Sequence, residues 1–230
     1  MREDFAAQLI ALETRLLWEL RAVVDLLDEV ADAVANPSGE QSCERMRTAA
    51  ARLREVSREV DAELVTVAAR QAPVASDLCV VLALLQLGHH GLLIANQLEL
   101  IADQLREIDP VVLDRQHTSQ QAALMTTLAG KQLGRALQAF AARDLDAARQ
   151  IQREDDALDR INRQVCGATV ELTAAPDERE VALRYVLVAR SLERIGDNAV
   201  DIAEQVDFLI TAQLHEFTDA SSPKRPPQPA

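Results

Sequence analysis

Apolar residues recur at alternating steps of three and four through the first part of the chain. The series is Phe5, Leu9, Leu12, Leu16, Leu20, Val23, Leu27, Val30 and Val34. This spacing puts the apolar side chains on one face of a long α-helix. Such a helix is stable when that face packs against other elements, so the spacing predicts a helical bundle. Aromatic residues make up only 3% of the chain, which favours helices packed through Ala and Leu over sheets.

Breaks in the apolar pattern divide the chain into six predicted helices. Pro37-Ser38-Gly39 ends the first helix with a turn signature, and Asp109-Pro110 marks a central break. Further turns are predicted at Arg143-Asp144 and Ala175-Pro176. The helices after the first are expected at about 40–70, from just after Pro73 to about 106, and at about 111–142, 144–173 and 177–214.

A short internal repeat relates the two halves of the chain. Ile101-Ala102-Asp103-Gln104 recurs as Ile202-Ala203-Glu204-Gln205, and the stretches 73–106 and 176–207 each begin with a proline. We therefore predict an all-α fold of two tandem antiparallel three-helix bundles, at 1–108 and 109–214. Each bundle can bury its own core or pack lengthwise on its twin. The Pro-rich tail at 215–230 is expected to be disordered.

Net charge and cysteine spacing indicate which classes of binding partner and which cellular compartment suit the protein. A net charge of -13 argues against binding to nucleic acid or to an anionic membrane, and it suits cations or basic protein surfaces. The three cysteines are far apart and include no Cys-x-x-Cys pair, which predicts buried thiols in a reducing cytoplasm. The N-terminus lacks the order of a signal peptide, and the apolar run from Leu78 to Leu87 is too short to span a bilayer. We expect a cytoplasmic protein.

The last predicted helix carries a ladder of carboxylates. Glu193, Asp197, Asp201 and Glu204 share one arc of that helix, roughly opposite its apolar stripe. Like charges at this spacing destabilise a helix unless a cation or a basic partner lies against them. Gly196, between two of these acids, costs about 1 kcal/mol relative to alanine. It indicates either the close approach of a ligand or tight helix packing.

A second acidic cluster precedes the last helix. Asp155 and Asp159 share a helical face, and antiparallel packing could bring them near Glu193 and Asp197. Carboxylates from two helices form the ligand set that hard or borderline divalent ions need. The alternative is a solvated acidic face, because pairs of acids at this spacing are common by chance in a chain with 37 acids. If these acids instead pair with nearby arginines, the cluster is a surface network of ion pairs that contributes little to stability.

The first half lacks this acidic pattern. In place of Glu193, Gly196, Asp197 and Asp201 it has Leu92, Ala95, Asn96 and Leu100. The Gly88-His89-His90-Gly91 segment is a poor metal site, because adjacent helical residues point about 100° apart. Trp18 is interpreted as a core or interface anchor. No glycine-rich phosphate loop, nucleophile motif or cluster of basic residues indicates catalysis or direct phosphate binding.

Three segments resemble a known family. Leu192–Glu204, with the sequence LERIGDNAVDIAE, resembles the signature of PhoU proteins. Arg70–Leu78 is similar to the segment that opens the third helix of that family's first repeat, and Arg143–Ala148 followed by Glu154–Asp159 is similar to its second repeat. The resemblance extends from about residue 5 to 210. It implies a pair of three-helix bundles, commonly dimeric, in a bacterial or archaeal cytoplasm.

The resemblance also implies a function and a site. PhoU proteins are negative regulators of phosphate uptake and of the phosphate-starvation response, and the family is not enzymatic. They are thought to connect the ATPase of the phosphate ABC transporter with a sensor histidine kinase, so any membrane contact would be indirect. Their acidic motifs bind multinuclear clusters of iron, zinc or other divalent ions such as Mg or Mn. The matching metal ligands here are Asp155, Asp159, Glu193, Asp197 and Asp201.

The first repeat departs from the family pattern. Its acidic motif is replaced by His90, Leu92, Ala95 and Asn96, and Ser57 and Arg58 precede a single acid, Asp61. We therefore expect the first metal cluster to be absent. The leading hypothesis is a regulatory adaptor, and the alternative is a metal-storage protein or metal-dependent enzyme of the carboxylate-bundle type. Such enzymes use Glu-x-x-His pairs, which this chain lacks. A purely structural bundle is the third possibility.

Overall fold

A computed structural model of the chain describes residues 2–36, 40–74, 76–108, 117–171 and 176–213. The side chains of residues 2, 3, 117, 152–157 and 168–171 lie outside the described set as well. All regular structure in these ranges is helical, which confirms the predicted fold class. Within the described ranges the helices are α1 (Arg2–Ala35), α2 (Glu40–Gln71), α3 (Ser76–Arg106), α4 (His117–Ala142), α5 (Leu145–Glu171) and α6 (Pro176–Thr211).

The helix bounds follow the predicted breaks closely. α1 ends at Ala35 and α2 begins at Glu40, on either side of the predicted break. α6 begins at Pro176, where the fixed φ of proline suits the first helical position. The central linker 109–116 and the tail from 214 lie outside the described residues, as do residues 37–39 and 172–175. The predicted division between the bundles at 108/109 therefore stays a prediction.

The turn between α4 and α5 is the predicted one, at Arg143 and Asp144. Arg143 has a φ of 54°, and the N–H of Asp144 donates to the carbonyl oxygen of Ala139 at 3.0 Å. This geometry closes the last turn of α4. The carboxylate of Asp144 then accepts the N–H of Ala147 at 3.0 Å and caps the start of α5. One dipeptide thus ends one helix and starts the next.

The two repeats pack lengthwise and share one continuous core. Within the repeats α2 packs on α3, and α4 and α5 both pack on α6. Between the repeats α3 lies against α6 and α1 lies against α4, and α1 meets α4 more extensively than it meets α2. A Cβ on Gly130 of α4 would lie 3.3 Å from the Cβ of Leu27, so this glycine lets α1 approach closely. The buried apolar residues of all six helices form a single cluster.

The burial of the cysteines and of Trp18 tests two further predictions from the sequence. Cys43 is buried, whereas Cys79 and Cys166 are half-buried, and all three are free thiols. Trp18 is 68% exposed, so its interpretation as a core residue is wrong. Its place on the outer side of α1 puts it in contact with solvent, and the interface interpretation stays open.

α3 is more apolar than the short run Leu78 to Leu87 suggested. As a whole helix it is long and apolar enough to cross a membrane by length and composition. Half of its most apolar stretch is buried by the other helices, as in the central helix of a bundle. Packing on α2 and α6 accounts for the buried half of this stretch.

A buried hydrogen bond joins α6 to the end of α1. The hydroxyl of Tyr185 donates to the carbonyl oxygen of Val34 at 2.8 Å, and Tyr185 is fully buried. Burial also raises the pKa of the Tyr185 phenol, so the group stays protonated and remains a donor. This bond joins the first helix of one repeat to the last helix of the other.

Replacing this tyrosine with phenylalanine tests the contact. Tyr185→Phe keeps the ring in the core but leaves the Val34 carbonyl without its donor, so we expect a loss of about 1 kcal/mol in the free energy of unfolding. Chemical denaturation followed by circular dichroism measures this loss. A variant as stable as the parent would show that water or another donor satisfies the carbonyl.

Candidate functional site

The acidic residues of α6 occupy different environments along the helix. The Glu193 carboxylate is 17% exposed and lies 3.2 Å from the guanidinium of Arg190. Asp197, one turn later, is exposed, and Glu204 is half-buried. Because Arg190 is itself largely exposed, its pairing with Glu193 contributes little to stability. This part of α6 presents negative charge to solvent, as the sequence predicted.

α5 brings its own carboxylates to the side of α6. The two helices pack directly against each other. Asp159 is 23% exposed, and its carboxylate lies 3.8 Å from Arg163 on the next turn. Asp155 belongs to the same helix, but its side chain lies outside the described residues. The predicted adjacency of the two helices is present, and the convergence of their carboxylates stays a prediction.

The donor chemistry of this surface suits a divalent ion. Carboxylate oxygens on packed helices can coordinate Mg, Mn, Fe or Zn. Among the side chains that the structure describes, no group of three or more His, Cys, Asp or Glu is placed to hold a metal ion. That search does not include Asp155, so the set of Asp155, Asp159, Glu193, Asp197 and Asp201 stays a prediction.

Asp201 lies at the seam between the repeats instead of facing solvent fully. It is half-buried, and its carboxylate is 3.8 Å from Nδ1 of His90 on α3. Burial raises the pKa of Asp201, and the two neighbouring histidines oppose that rise. Asp201 therefore connects the edge of the acidic surface with the interior of the α3–α6 interface.

His90 and Asn198 form a buried hydrogen bond across that interface. Nδ1 of His90 lies 2.9 Å from Oδ1 of Asn198, and each residue is less than a tenth exposed. The Asn198 amide nitrogen donates to the carbonyl oxygen of Arg194 at 2.6 Å, which leaves its Oδ1 to accept the Nδ1–H of His90. Burial lowers the pKa of His90, although Asn198 and Asp201 oppose this effect. The interface is thus built around a neutral imidazole.

The two glycines beside the histidines let α2 approach α3. A Cβ on Gly91 would lie 2.7 Å from Oγ of Ser57, and a Cβ on Gly88 would lie 2.6 Å from Oδ1 of Asp61. Ser57 is fully buried. Neither of these oxygens has a hydrogen-bond partner among the described residues. Burial raises the pKa of Asp61, and His89 partly offsets the rise.

The packing role of the Gly88–Gly91 segment was not predicted from the sequence. The two histidines were interpreted as a poor metal pair, and they do point to different sides of α3: His89 is exposed and His90 is buried. The signal was present, because Leu87, His90 and Ile94 follow the spacing of core positions. A histidine on such a stripe needs a buried polar partner, and Asn198 could not be assigned as that partner without knowing how the repeats pack.

Comparison with known proteins fits this two-repeat architecture. The family profile described as the PhoU domain matches residues 123–206, within the second repeat. The phosphate-specific transport system accessory protein PhoU of Serratia marcescens is 29% identical over 224 residues, covering 91% of this chain and 86% of that protein. The PhoU homolog 1 of Thermotoga maritima is 27% identical over 171 residues, 71% of each chain.

A solved structure extends the likeness to both repeats. The crystal structure of the phosphate transport system regulatory protein PhoU from Streptococcus pneumoniae matches with a TM-score of 0.81, over 93% of this chain and 100% of that chain. The chain belongs to the PhoU family. At 19% identity the match to that crystal structure establishes the fold alone. The likeness in fold therefore includes the first repeat, where Leu92, Asn96 and Leu100 correspond to Glu193, Asp197 and Asp201 of the second.

The contact between Gly91 and Ser57 yields a test of how this PhoU-family chain packs its first repeat. Alanine in place of Gly91 gains helix propensity of about 1 kcal/mol, but its Cβ would overlap the Ser57 hydroxyl. We expect the overlap to dominate, with a net destabilisation of about 1–2 kcal/mol. Thermal or urea denaturation measures the change.

A second substitution separates steric overlap from other effects. Ser57→Ala removes the hydroxyl, after which the nearest atom to the new Cβ is Cδ1 of Leu53 at 3.4 Å, an ordinary contact. Gly91→Ala combined with Ser57→Ala should recover the stability of the single Ser57→Ala variant or exceed it. If the double variant is as unstable as Gly91→Ala alone, overlap with Ser57 is not the cause.

Proposed function

We propose that this chain is a negative regulator of phosphate uptake and of the phosphate-starvation response. It acts as a cytoplasmic, homodimeric adaptor between the ATPase of a phosphate ABC transporter and a sensor histidine kinase. The names of its relatives support the connection with phosphate transport, because they are accessory or regulatory proteins of that system. Contact with the membrane is indirect, through the transporter.

The observation that carries the proposal is the difference between the outer faces of α3 and α6. These helices match through the internal repeat and pack on each other at the centre of the fold. From Glu193 onward α6 presents Glu193 and the exposed Asp197. The corresponding part of α3 presents Asn96 and Leu100, the latter 44% exposed, and its two acids, Glu99 and Asp103, are paired with arginines of α2. Two surfaces of different chemistry on helices that pack on each other suit a protein that contacts two different partners.

The acidic surface of the second repeat is proposed to bind divalent or iron ions. Asp155 and Asp159 on α5 would supply carboxylates from one side, and Glu193, Asp197 and Asp201 on α6 would supply them from the other. A bound cation would remove the repulsion between these charges. The ion would also turn an anionic surface into one that an acidic partner group can approach.

Regulation is favoured over metal-dependent catalysis. Glu193 and Asp197 lie on the outer side of α6, away from the apolar stripe that enters the core. Metal enzymes built on helical bundles place their carboxylates in the interior, together with Glu-x-x-His pairs, which the sequence lacks. A surface site of this kind is suited to recognition.

Paired experiments on the acidic surface test the proposal. Glu193→Gln with Asp197→Asn keeps the size of both side chains and removes two charges. We expect co-purification of the transporter ATPase or the kinase to fall by about tenfold, because charge complementarity selects partners at exposed surfaces. Metal content, measured on protein purified without added ions, should fall in the same variant.

The matched control removes two exposed acids from the first repeat, by Asp28→Asn with Glu55→Gln. It makes the same change in net charge and should leave partner retention and metal content unchanged. Normal partner retention and phosphate repression in the Glu193/Asp197 variant would contradict the proposal. Metal binding accompanied by oxidase activity would favour the enzyme alternative instead.

A further inference from the structure

A groove runs along the outer side of the first repeat, between α1 and α2. Its cavity has a volume of about 950 Å³ and lies away from both the acidic surface of α6 and the α3–α6 interface. α1 lines it from Glu19 to Glu29, and α2 lines it from Glu40 to Arg52. At about 1.5 Å per residue, each wall is about three helical turns long. The groove is therefore long enough to hold a short helix along its axis.

The floor of the groove is apolar. Ala22 and Val23 of α1 and Ala49 of α2 line it, together with Leu26, which is 6% exposed. Ala22 is exposed and Ala49 is half-buried, whereas Val23 and Leu26 lie beneath them in the core. A partner that fills this groove would cover Ala22 and Ala49, and removing such apolar surface from water favours helix-in-groove binding.

The rim of the groove is acidic. Its carboxylates are Glu19, Asp25, Glu29, Glu40 and Glu44. The two arginines of the lining are already engaged with carboxylates of the same groove, Arg52 with Glu19 at 2.8 Å and Arg45 with Glu29. Over the part of the chain that the structure describes, Asp25 and Glu40 enter no ion pair. The rim therefore keeps a net negative charge that a cationic partner would complement.

An exposed tryptophan adjoins the groove. Trp18 is 68% exposed and lies on the same stripe of α1 as Ala22 and Asp25, one turn before Ala22. Large exposed aromatic side chains beside an apolar groove are typical anchors of protein interfaces. Trp18 extends the apolar surface of the groove toward solvent at one end.

We propose that this groove binds an amphipathic helix of a partner protein. The helix places Leu-type side chains on the apolar floor, and Lys or Arg on its flanks meets Asp25, Glu40 and Glu44. Trp18 covers one end of the bound helix. The proposal goes beyond the regulatory function proposed above, because it requires neither metal nor the acidic surface of α6. Its failure would leave that function untouched.

The probe is a synthetic amphipathic peptide of about 18 residues, long enough to form a helix. It has leucines on one face, Lys and Arg on the flanks, and no tryptophan. Trp18 is the single tryptophan of the chain, so the tryptophan fluorescence comes from one end of this groove. We expect the peptide to produce a saturable blue shift of the Trp18 emission as the indole leaves water.

Matched variants test whether the rim selects the peptide. Asp25→Asn, Glu40→Gln and Glu44→Gln together should weaken peptide binding by about tenfold, since each exposed pair contributes a fraction of a kcal/mol. The control combines Asp28→Asn, Glu55→Gln and Asp146→Asn, which removes the same charge outside the groove lining. Binding to the control should stay within about twofold of the parent. A peptide with Glu in place of Lys and Arg should give no saturable shift.

Four results would overturn the proposal. The first is that the cationic peptide gives no saturable shift of the Trp18 emission, and the second is that the acidic peptide binds as tightly as the cationic one. The third is that the control variant loses as much affinity as the groove variant. The fourth is that spermidine displaces the peptide at a concentration below that of the peptide. The third result would show that only the overall charge of the protein matters. The fourth would show that the groove takes a small polyamine rather than a helix.

Discussion

The packing of α3 against α6 is the contact on which the rest of the molecule depends. It joins the third helices of the two repeats, and its interior contains the hydrogen bond between His90 and Asn198. A buried polar pair contributes little net stability, but it costs free energy when misaligned, so it fixes how the helices meet. With α3 and α6 fixed, α1 packs on α4 and the two bundles form one core.

This shared interior leaves the outer surfaces free to differ. The second repeat keeps acidic residues on α6. The first repeat has an α3 face whose acids, Glu99 and Asp103, are paired with arginines, and an acidic groove between α1 and α2. Asp201 links the interior to the outside, because it lies between the acidic surface and His90. A ligand that changes the environment of Asp201 would therefore act directly on the contact that joins the repeats.

The sequence was sufficient for the fold class and for nearly all of the helix bounds. Turn residues and apolar periodicity are local properties, so the breaks at Pro37, Arg143 and Pro176 could be predicted from single segments. The burial of His90 and the exposure of Trp18 could not, because both depend on which helix faces which. The sequence predicted correctly that the acids of the ladder lie on one helix, α6. It did not predict that Asp197 faces solvent while Asp201 lies at the interface with α3.

Native-state hydrogen exchange tests most directly whether the two repeats form one cooperative unit through α3 and α6. Slowly exchanging amides in α2 and α3 would be compared with those in α5 and α6 as denaturant is raised. The account predicts that both groups converge on the same free energy of opening, that of global unfolding. If the amides of one repeat opened at a clearly lower free energy while the other stayed protected, the repeats would be independent domains and the central role of the interface would be contradicted.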